Sequence, residues 1–461
     1  RPVGNSIWGS ERRYHVVERA IPPEQHRIAT VHGDQIWLTW KPPTIQKWSP
    51  DTPVVYELRL RLGRANSQHV IQWDDAITLR SGFRTVSTQG RTLRLNGRPL
   101  TIRGILNWGW APPSVAPSVD EAWFREELRQ ARAHGFNLMK FCLWVPPTRY
   151  LEIADEMGML TWIEYPTWHS QWQPSHLPQL KNEFSEFFAN DRHHPSIVLR
   201  SLTCETGREA NLDVIQTLYD LCHQMVPGSI VEDDSRWIQW NRVHDFYGDH
   251  PYGNNHTWPQ VIATLEQHIE DREAKPLVLG EAIAADTWYD RQGILDFQQR
   301  RAQETEDSSA EKKLPPWFPI HFAANRSWFQ GISSKFSVPS EETLRDDSLR
   351  YAMLMRKYQI ETFRRLSPSS GYVVSVIRDV PFAEMGLLDL SGKPKWSTDQ
   401  WRWHRQVACL LQTPHEHLAF ATEQPVAMKF HLHHGGPGKE IPEAVFTVKI
   451  FDDRGNAILT K

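Results

Sequence analysis

A chain of 461 residues, with 40% hydrophobic and 23% charged residues, can bury a substantial core, which excludes bulk disorder. Its 52 basic and 55 acidic residues are spread without long blocks and leave a net charge of −3, so nothing marks it as a partner of nucleic acid or another polyanion. The longest apolar runs, such as 196–202 and 277–279, fall far short of the ~20 residues that span a bilayer, and no transmembrane segment or membrane partner is expected.

Residues 1–85 read as short alternating strands, for example Gln35-Ile36-Trp37-Leu38-Thr39-Trp40 and Tyr56-Glu57-Leu58-Arg59-Leu60-Arg61-Leu62. Turns rich in Pro, Ser and Asp separate them, as at Trp48-Ser49-Pro50-Asp51-Thr52-Pro53, and the pattern predicts a small β-sandwich. After Gly97 the periodicity changes to repeated strand-then-helix units. Strands are predicted at 100–106, 137–144, 159–165, 197–202, 230–233, 243–247, 276–281 and 372–380.

Between these strands the apolar spacing becomes helical. The first helix opens at the capping-box-like Ser118-Val119-Asp120-Glu121, carries Phe124, Leu128 and Ala131 on one face, and stops at Gly135. The second carries Tyr150, Ile153, Ala154 and Met157 before Gly158, and others are expected over 180–190, around Ile215, Leu218, Tyr219 and Cys222, over 258–269 and over 349–363. Eight strands joined by helical crossovers give an α/β fold, a TIM (β/α)8 barrel, assigned to residues 86–412. A long excursion, 282–347, contains Trp317, Phe318, Phe322, Trp328 and Phe329, and is expected either to cap a pocket or to pack as a surface loop. Residues 413–461 turn strand-like again, at 426–432 and 444–451, as the start of another β-domain.

The four cysteines, Cys142, Cys204, Cys222 and Cys409, form no CxxC pair, which argues against a zinc site or a disulfide framework. The pairs His193-His194 and His433-His434 lack carboxylates at metal-ligand spacing, so neither a metal nor a cofactor is expected. The 21 tryptophans suit stacking on sugar rings as well as core packing.

In a parallel barrel the catalytic side chains sit where strands end at the C-terminal face. Glu205 closes the fourth predicted strand and Glu281 the seventh. Two carboxyls facing one substrate meet the needs of glycosidic cleavage, in which one must arrive protonated to serve the leaving oxygen and the other ionised to attack the anomeric carbon. A carboxyl separation of about 5–5.5 Å would mean retention through a covalent intermediate. The same strand-end logic nominates Trp144, Glu164, Asp379 and the cluster Asp245, Tyr247, Asp249, His250 and Tyr252 as pocket residues, against the alternative that each is an ordinary rim residue.

These residues resemble glycoside hydrolase family 2, which includes β-galactosidases, β-mannosidases and β-glucuronidases. Trp48-Ser49-Pro50-Asp51-Thr52-Pro53 with Tyr56 looks like a turn of that family's immunoglobulin-like domain, and Gly82-Phe83-Arg84 with 95–104 looks like its approach to the barrel. The segment Arg192-His193-His194-Pro195 through Glu205 resembles the acid/base strand, and Lys275-Pro276-Leu277-Val278-Leu279-Gly280-Glu281 the nucleophile strand. The resemblance implies an immunoglobulin-like β-sandwich before the barrel, Glu205 as general acid/base, Glu281 as nucleophile, and a glycoside or oligosaccharide substrate, galactose-like by default. Two departures stand out. Cys204 replaces the asparagine that in the family bonds the sugar 2-hydroxyl, and the last strand lacks a tryptophan used by some relatives. No complete N-terminal jelly roll is present, so the chain is expected to be a piece of a longer protein. A periplasmic or extracellular setting and a homo-oligomer both fit. The rival reading is a carbohydrate-binding or scaffold barrel without turnover, which Cys204 favours.

Overall fold

In the computed structural model of the chain, residues 2–3, 27–32, 35–39, 44–65, 68, 71–111, 117–240, 242–290, 318–380, 383–413, 423, 425, 427–434, 445, 447–452 and 454–460 are described. Before the barrel the strands are antiparallel, as the expected sandwich requires. They are β1 (Pro2–Val3), β2 (Arg27–His32), β3 (Gln35–Thr39), β4 (Val55–Ala65) and β5 (Ile71–Ser81), with β1-β4-β5 in one sheet and β2-β3 in another. A small meander follows, β6 (Val86–Gln89), β7 (Thr92–Leu95) and β8 (Arg98–Leu100), turned at the left-handed Asn96 and Gly97.

The Trp48 turn docks this region on the barrel. Trp48 is fully buried and donates its indole N–H to Asp155 O at 2.9 Å. Gly158, at φ +70°, ends the helix beneath it because a Cβ there would lie 2.5 Å from Pro50 O. Arg84 extends the contact by donating to the carbonyls of Pro195 and Ile197 at the start of a barrel strand.

Eight parallel strands form the barrel sheet, β9 (Arg103–Asn107), β10 (Leu138–Phe141), β11 (Leu160–Glu164), β12 (Ile197–Thr203), β13 (Val231–Asp234), β14 (Tyr247–Asp249), β15 (Leu277–Ala282) and β16 (Gly371–Val374). Their order is β13-β12-β11-β10-β9-β16-β15-β14, which closes except for the seam between β13 and β14, bridged by Glu232 and His244. Each strand is covered on both faces, so runs such as Ile197-Val198-Leu199 read as continuous apolar stretches.

Helices α1 (Glu121–Ala133), α2 (Thr148–Met157), α3 (Leu177–Asp191), α4 (Leu212–Met225) and α5 (Trp258–Glu270) supply the outer layer. Asp120, rather than Ser118, caps α1 by accepting from Ala122 N at 2.9 Å, and Ser118 instead bonds Asp120 N. Between β13 and β14 the described residues hold a 3-10 turn, Ile238–Trp240, in place of an α-helix.

Two predicted strands are displaced. The sixth begins at Tyr247 instead of 243, because 243–246 cross the bottom of β13 with Asp245 N bonded to Val231 O. The eighth leaves the sheet after Val374, since Val376 and Leu388 turn to pair with Met385 and Ile377 in the following loop. The excursion after β15 carries a helix, α6 (Phe318–Phe336), and Ser340 then caps α7 (Glu341–Leu366), which starts earlier than the sequence pattern suggests. Trp328 and Phe329 of α6 pack on Trp288 at 5.3 and 6.1 Å between ring centroids. Trp317 and residues 291–316 lie outside the described residues. C-terminal antiparallel pairs, β17 (Val407–Gln412) with β18 (Lys429–His434) and β19 (Lys449–Phe451) with β20 (Ala457–Thr460), agree with a further β-region. Among the described residues no helix is long and apolar enough to cross a membrane.

Candidate active site

Strand β12 ends in a bend that aims Glu205. Cys204 still bridges to Trp168 in the neighbouring loop, and Glu205 then adopts φ +52°, a left-handed conformation that costs a non-glycine residue on the order of 1 kcal/mol. His169 Nδ1, 2.7 Å from Glu205 O, helps hold the bend. The Glu205 carboxylate is ringed by donors. Arg236 Nη1 donates to Oε1 at 2.8 Å, His250 Nδ1 lies 3.1 Å from the same oxygen, and Trp168 Nε1 donates to Oε2 at 3.1 Å. Desolvation pushes the carboxyl pKa up, but the bonds from His250 and Trp168 and the charge of Arg236 outweigh it and lower the pKa to about 2.

Glu281 lies deeper, at the end of β15. Its Oε2 accepts from Tyr252 Oη at 2.6 Å and its Oε1 from Cys142 Sγ at 3.1 Å. Burial opposes its ionisation, yet the His250 and Lys140 charges and these two bonds bring the pKa below the ordinary carboxyl value. His250 links the two acids. Its Nδ1 is 3.1 Å from Glu205 Oε1 and 3.9 Å from Glu281 Oε2, so those two oxygens are no farther apart than the sum of the two distances.

Below them, Lys140 of β10 and Glu164 of β11, both fully buried, pair at 2.6 Å, with the ammonium 4.8 Å from the Trp162 ring centre. Such a pair contributes little net stability, but it fixes a positive charge under Glu281. Trp162, Ser201 and Glu232 continue the polar layer, with Trp162 Nε1 donating to Ser201 Oγ at 2.7 Å and Ser201 to Glu232 at 2.6 Å. The rim carries flat exposed faces. Trp168 is 59% and Tyr252 46% exposed, and Trp168 stacks on His169 at 4.7 Å.

Glu205, Glu281, Cys204, Glu164, His250 and Tyr252 are thus gathered in one place. Asp245 is not among them. It lies ahead of β14, at the N-terminal end of the barrel, where Tyr219 Oη donates to it at 2.5 Å and His223 sits 3.2 Å away. The reason is the displaced strand, which moves the strand end to Asp249. Asp249 accepts from Ile238 N at 2.8 Å, and Tyr247 Oη donates to Glu273 O. Asp379 sits in the loop past β16, buried and engaged by Lys395 Nζ at 2.7 Å and by Gly386 N. Trp144 donates to Asn107 O at 2.8 Å and packs edge-on against Phe141 and Tyr150.

Sequence reading passed over Cys142, Trp168, His169, Arg236, Ser375 and Lys140. The strand-end rule could have found three of these, since Cys142 follows β10, Arg236 follows β13 by two residues, and Ser375 follows β16 and sits 3.1 Å from Tyr252 Oη. The His193-His194 pair does have a carboxylate, supplied by the fold: His194 Nδ1 lies 2.7 Å from Asp155 Oδ2.

No protein-family model matches the chain. In sequence it is similar to a β-galactosidase of Enterobacter cloacae, 30% identical over 192 residues, covering 40% of this chain and 18% of that protein. It is also similar to a β-galactosidase of Vibrio cholerae, 29% identical over 239 residues, covering 50% of this chain and 21% of that one. The match therefore spans about a fifth of those relatives' length. In fold it is similar to a GH2 β-galacturonidase of Eisenbergiella tayi, with TM-score 0.59 and 18% identity over 81% of this chain and 63% of that one. A β-glucuronidase of Parabacteroides merdae gives TM-score 0.55 and 15% identity over 80% of this chain and 44% of that one. These likenesses support a relationship to glycoside hydrolase family 2, with the subtype open.

Proposed function

We propose that the chain is the catalytic part of a retaining glycosidase that cleaves a β-linked glycan by double displacement, with Glu281 as nucleophile and Glu205 as acid/base. The observation that carries this reading is the convergence of both carboxylates on His250 at the C-terminal face of the barrel. Their roles follow from their surroundings. Glu281, bonded by Tyr252 and Cys142 and set near Lys140, is held as an anion suited to attack on an anomeric carbon. Glu205, nearer the rim, stands where a leaving oxygen can reach it. The upper bound set by the two distances to His250 admits the spacing of retaining enzymes, about 5–5.5 Å, and excludes most of the inverting range of about 6.5–9.5 Å.

In the free site Arg236, Trp168 and His250 hold Glu205 ionised. To act as an acid it must give up one of these donors and take up a proton from solvent, which it then passes to the leaving oxygen. We assign that exchange to Arg236, from the loop after β13 and one-third exposed. The sugar is galactose-like by default, as the names of the sequence relatives suggest. We assign the chain to the same three regions as the sequence pattern does, 1–85, 86–412 and 413–461.

The test is a mechanism-based 2-fluoro β-glycoside, chosen from a panel of nitrophenyl β-glycosides. It should leave a sugar covalently attached to Glu281, detected by peptide mass mapping. Attachment at another residue removes Glu281 as nucleophile. The low pKa of Glu205 and the buried Cys204 thiol favour a second reading, a sugar-binding barrel with impaired turnover. That reading forbids labelling altogether. If only the missing asparagine limits the rate, Cys204→Asn should raise kcat/KM by about tenfold, the worth of one good hydrogen bond.

A further inference from the structure

Two cysteines meet at the carboxylates. Cys142 follows β10 and Cys204 follows β12, and they are 3% and 2% exposed. Cys142 donates to Glu281 Oε1 at 3.1 Å, and a Glu281 oxygen also lies within 4.8 Å of the Cys204 sulfur. One ligand atom each of Cys204, His250 and Glu281 lies within 4.8 Å of the other two, and the same holds for Cys142, Glu164 and Glu281. Strand β11 runs between β10 and β12, so the two cysteine backbones are about two strand spacings apart, roughly 9.5 Å. That exceeds the ~7 Å limit for a disulfide. Two sulfurs that approach one carboxylate while their backbones are held apart suit ligation of a common centre better than a bond to each other.

We propose that Cys204, His250 and Glu281, completed by Cys142, form a binding site for a thiophilic divalent cation such as Zn²⁺ or Cd²⁺. Tetrahedral ligation with bonds of about 2.0–2.3 Å sets ligand atoms about 3.3–3.8 Å apart, so Cys204, His250 and Glu281 close inward by on the order of 1 Å and Cys142, already bonded to Glu281, turns toward them. With His250 neutral, as a metal ligand must be, the local charge favours a cation, because Glu164, Glu205 and Glu281 face Lys140 and Arg236, three anions against two cations. On binding, each thiol and the His250 imidazolium give up a proton to solvent, and the sulfurs bond the metal as thiolates and the imidazole as a neutral ring, with no change of oxidation state. The ion takes the Glu281 carboxylate out of use, so the occupied site is an off state. This consequence rests on the glycosidase reading, whereas the metal site itself does not.

The experiment is titration of the metal-free full chain with Cd²⁺, read by the ultraviolet thiolate-to-metal absorption in a Cys409→Ala background that removes the exposed thiol. The band should saturate at one equivalent per chain, fall to about half in Cys142→Ala or Cys204→Ala, and vanish in the double variant. No band, or a band that survives the double substitution, overturns the proposal. X-ray absorption of the Zn²⁺-loaded wild-type chain serves if a variant fails to fold. Two sulfurs around the metal support the site, and a shell of nitrogen and oxygen alone overturns it. None of these measurements reads turnover. A chain that binds Cd²⁺ as described but never accepts the fluoro-glycoside label sinks the glycosidase reading and leaves the metal site standing.

Discussion

The two ends of the barrel handle buried charge in opposite ways. Toward the N-terminal end, buried and part-buried acidic groups have partners of their own. Asp191 takes Arg200 at 2.7 Å and the Tyr165 hydroxyl at 2.8 Å, Asp155 takes His194, and Asp245 takes Tyr219 and His223. At the C-terminal end partners are shared. His250 serves both Glu205 and Glu281, Tyr252 serves Glu281 and Ser375, and Lys140 lies under Glu164 and Glu281 together. A privately paired charge is settled and supports the fold, whereas a shared one can be redistributed when a substrate or ion arrives.

Substitutions at each end can break this contrast. The largest effect is expected from Glu281→Ala, which should lower turnover of an aryl β-glycoside on the order of 10⁴-fold while the thermal midpoint stays near that of the parent. Turnover that survived would place the chemistry elsewhere. At the other end, Asp191→Ala strands the buried Arg200 charge and should cost about 3–5 kcal/mol in chemical denaturation, with kcat of the folded fraction unchanged. A fall in kcat there would dissolve the distinction.

Arg236→Ala sharpens the contrast within the shared end. Because the folded pKa of Glu205 is depressed from 4.5 to about 2, its contribution to stability is present above 4.5 and is lost as pH falls through about 2. Removing the guanidinium should raise that pKa by about one unit. Acid unfolding should then begin at higher pH, and the alkaline limb of kcat/KM, which reports the proton on the acid/base, should extend upward by the same amount. An unchanged pH profile would mean that Arg236 does not tune Glu205. The smallest effect is expected for Asp245→Asn, at most about 1 kcal/mol with no change in kcat/KM, since its His223 partner is one-third exposed. A loss of activity would return Asp245 to the pocket.

The barrel was legible because its signals are local. Continuous apolar runs such as Ile197-Val198-Leu199 mark strands covered on both faces, and glycines such as Gly135 and Gly158 end helices where a left-handed residue is needed. Glu205 and Glu281 stand together at the C-terminal face, where the sequence pattern puts them, because a residue that closes a strand inherits that strand's position in the barrel. Asp245 was misplaced for the same reason. A three-residue strand, Tyr247–Asp249, has too short a pattern to fix its start, and a slip there moved the aspartate from one end of the barrel to the other.

The order of residues alone therefore determined the alternation of strands and helices, the two carboxylates at strand ends, and the turn that carries Trp48, because each depends on neighbours a few positions away. The tertiary structure decided which side chains share a partner. Cys142 and Cys204 meet at Glu281, Lys140 lies under it, and Arg236 reaches Glu205, although long stretches of chain separate them. Spacing along a sequence carries no information about such meetings, because they are set by which strands become neighbours when the sheet curls round.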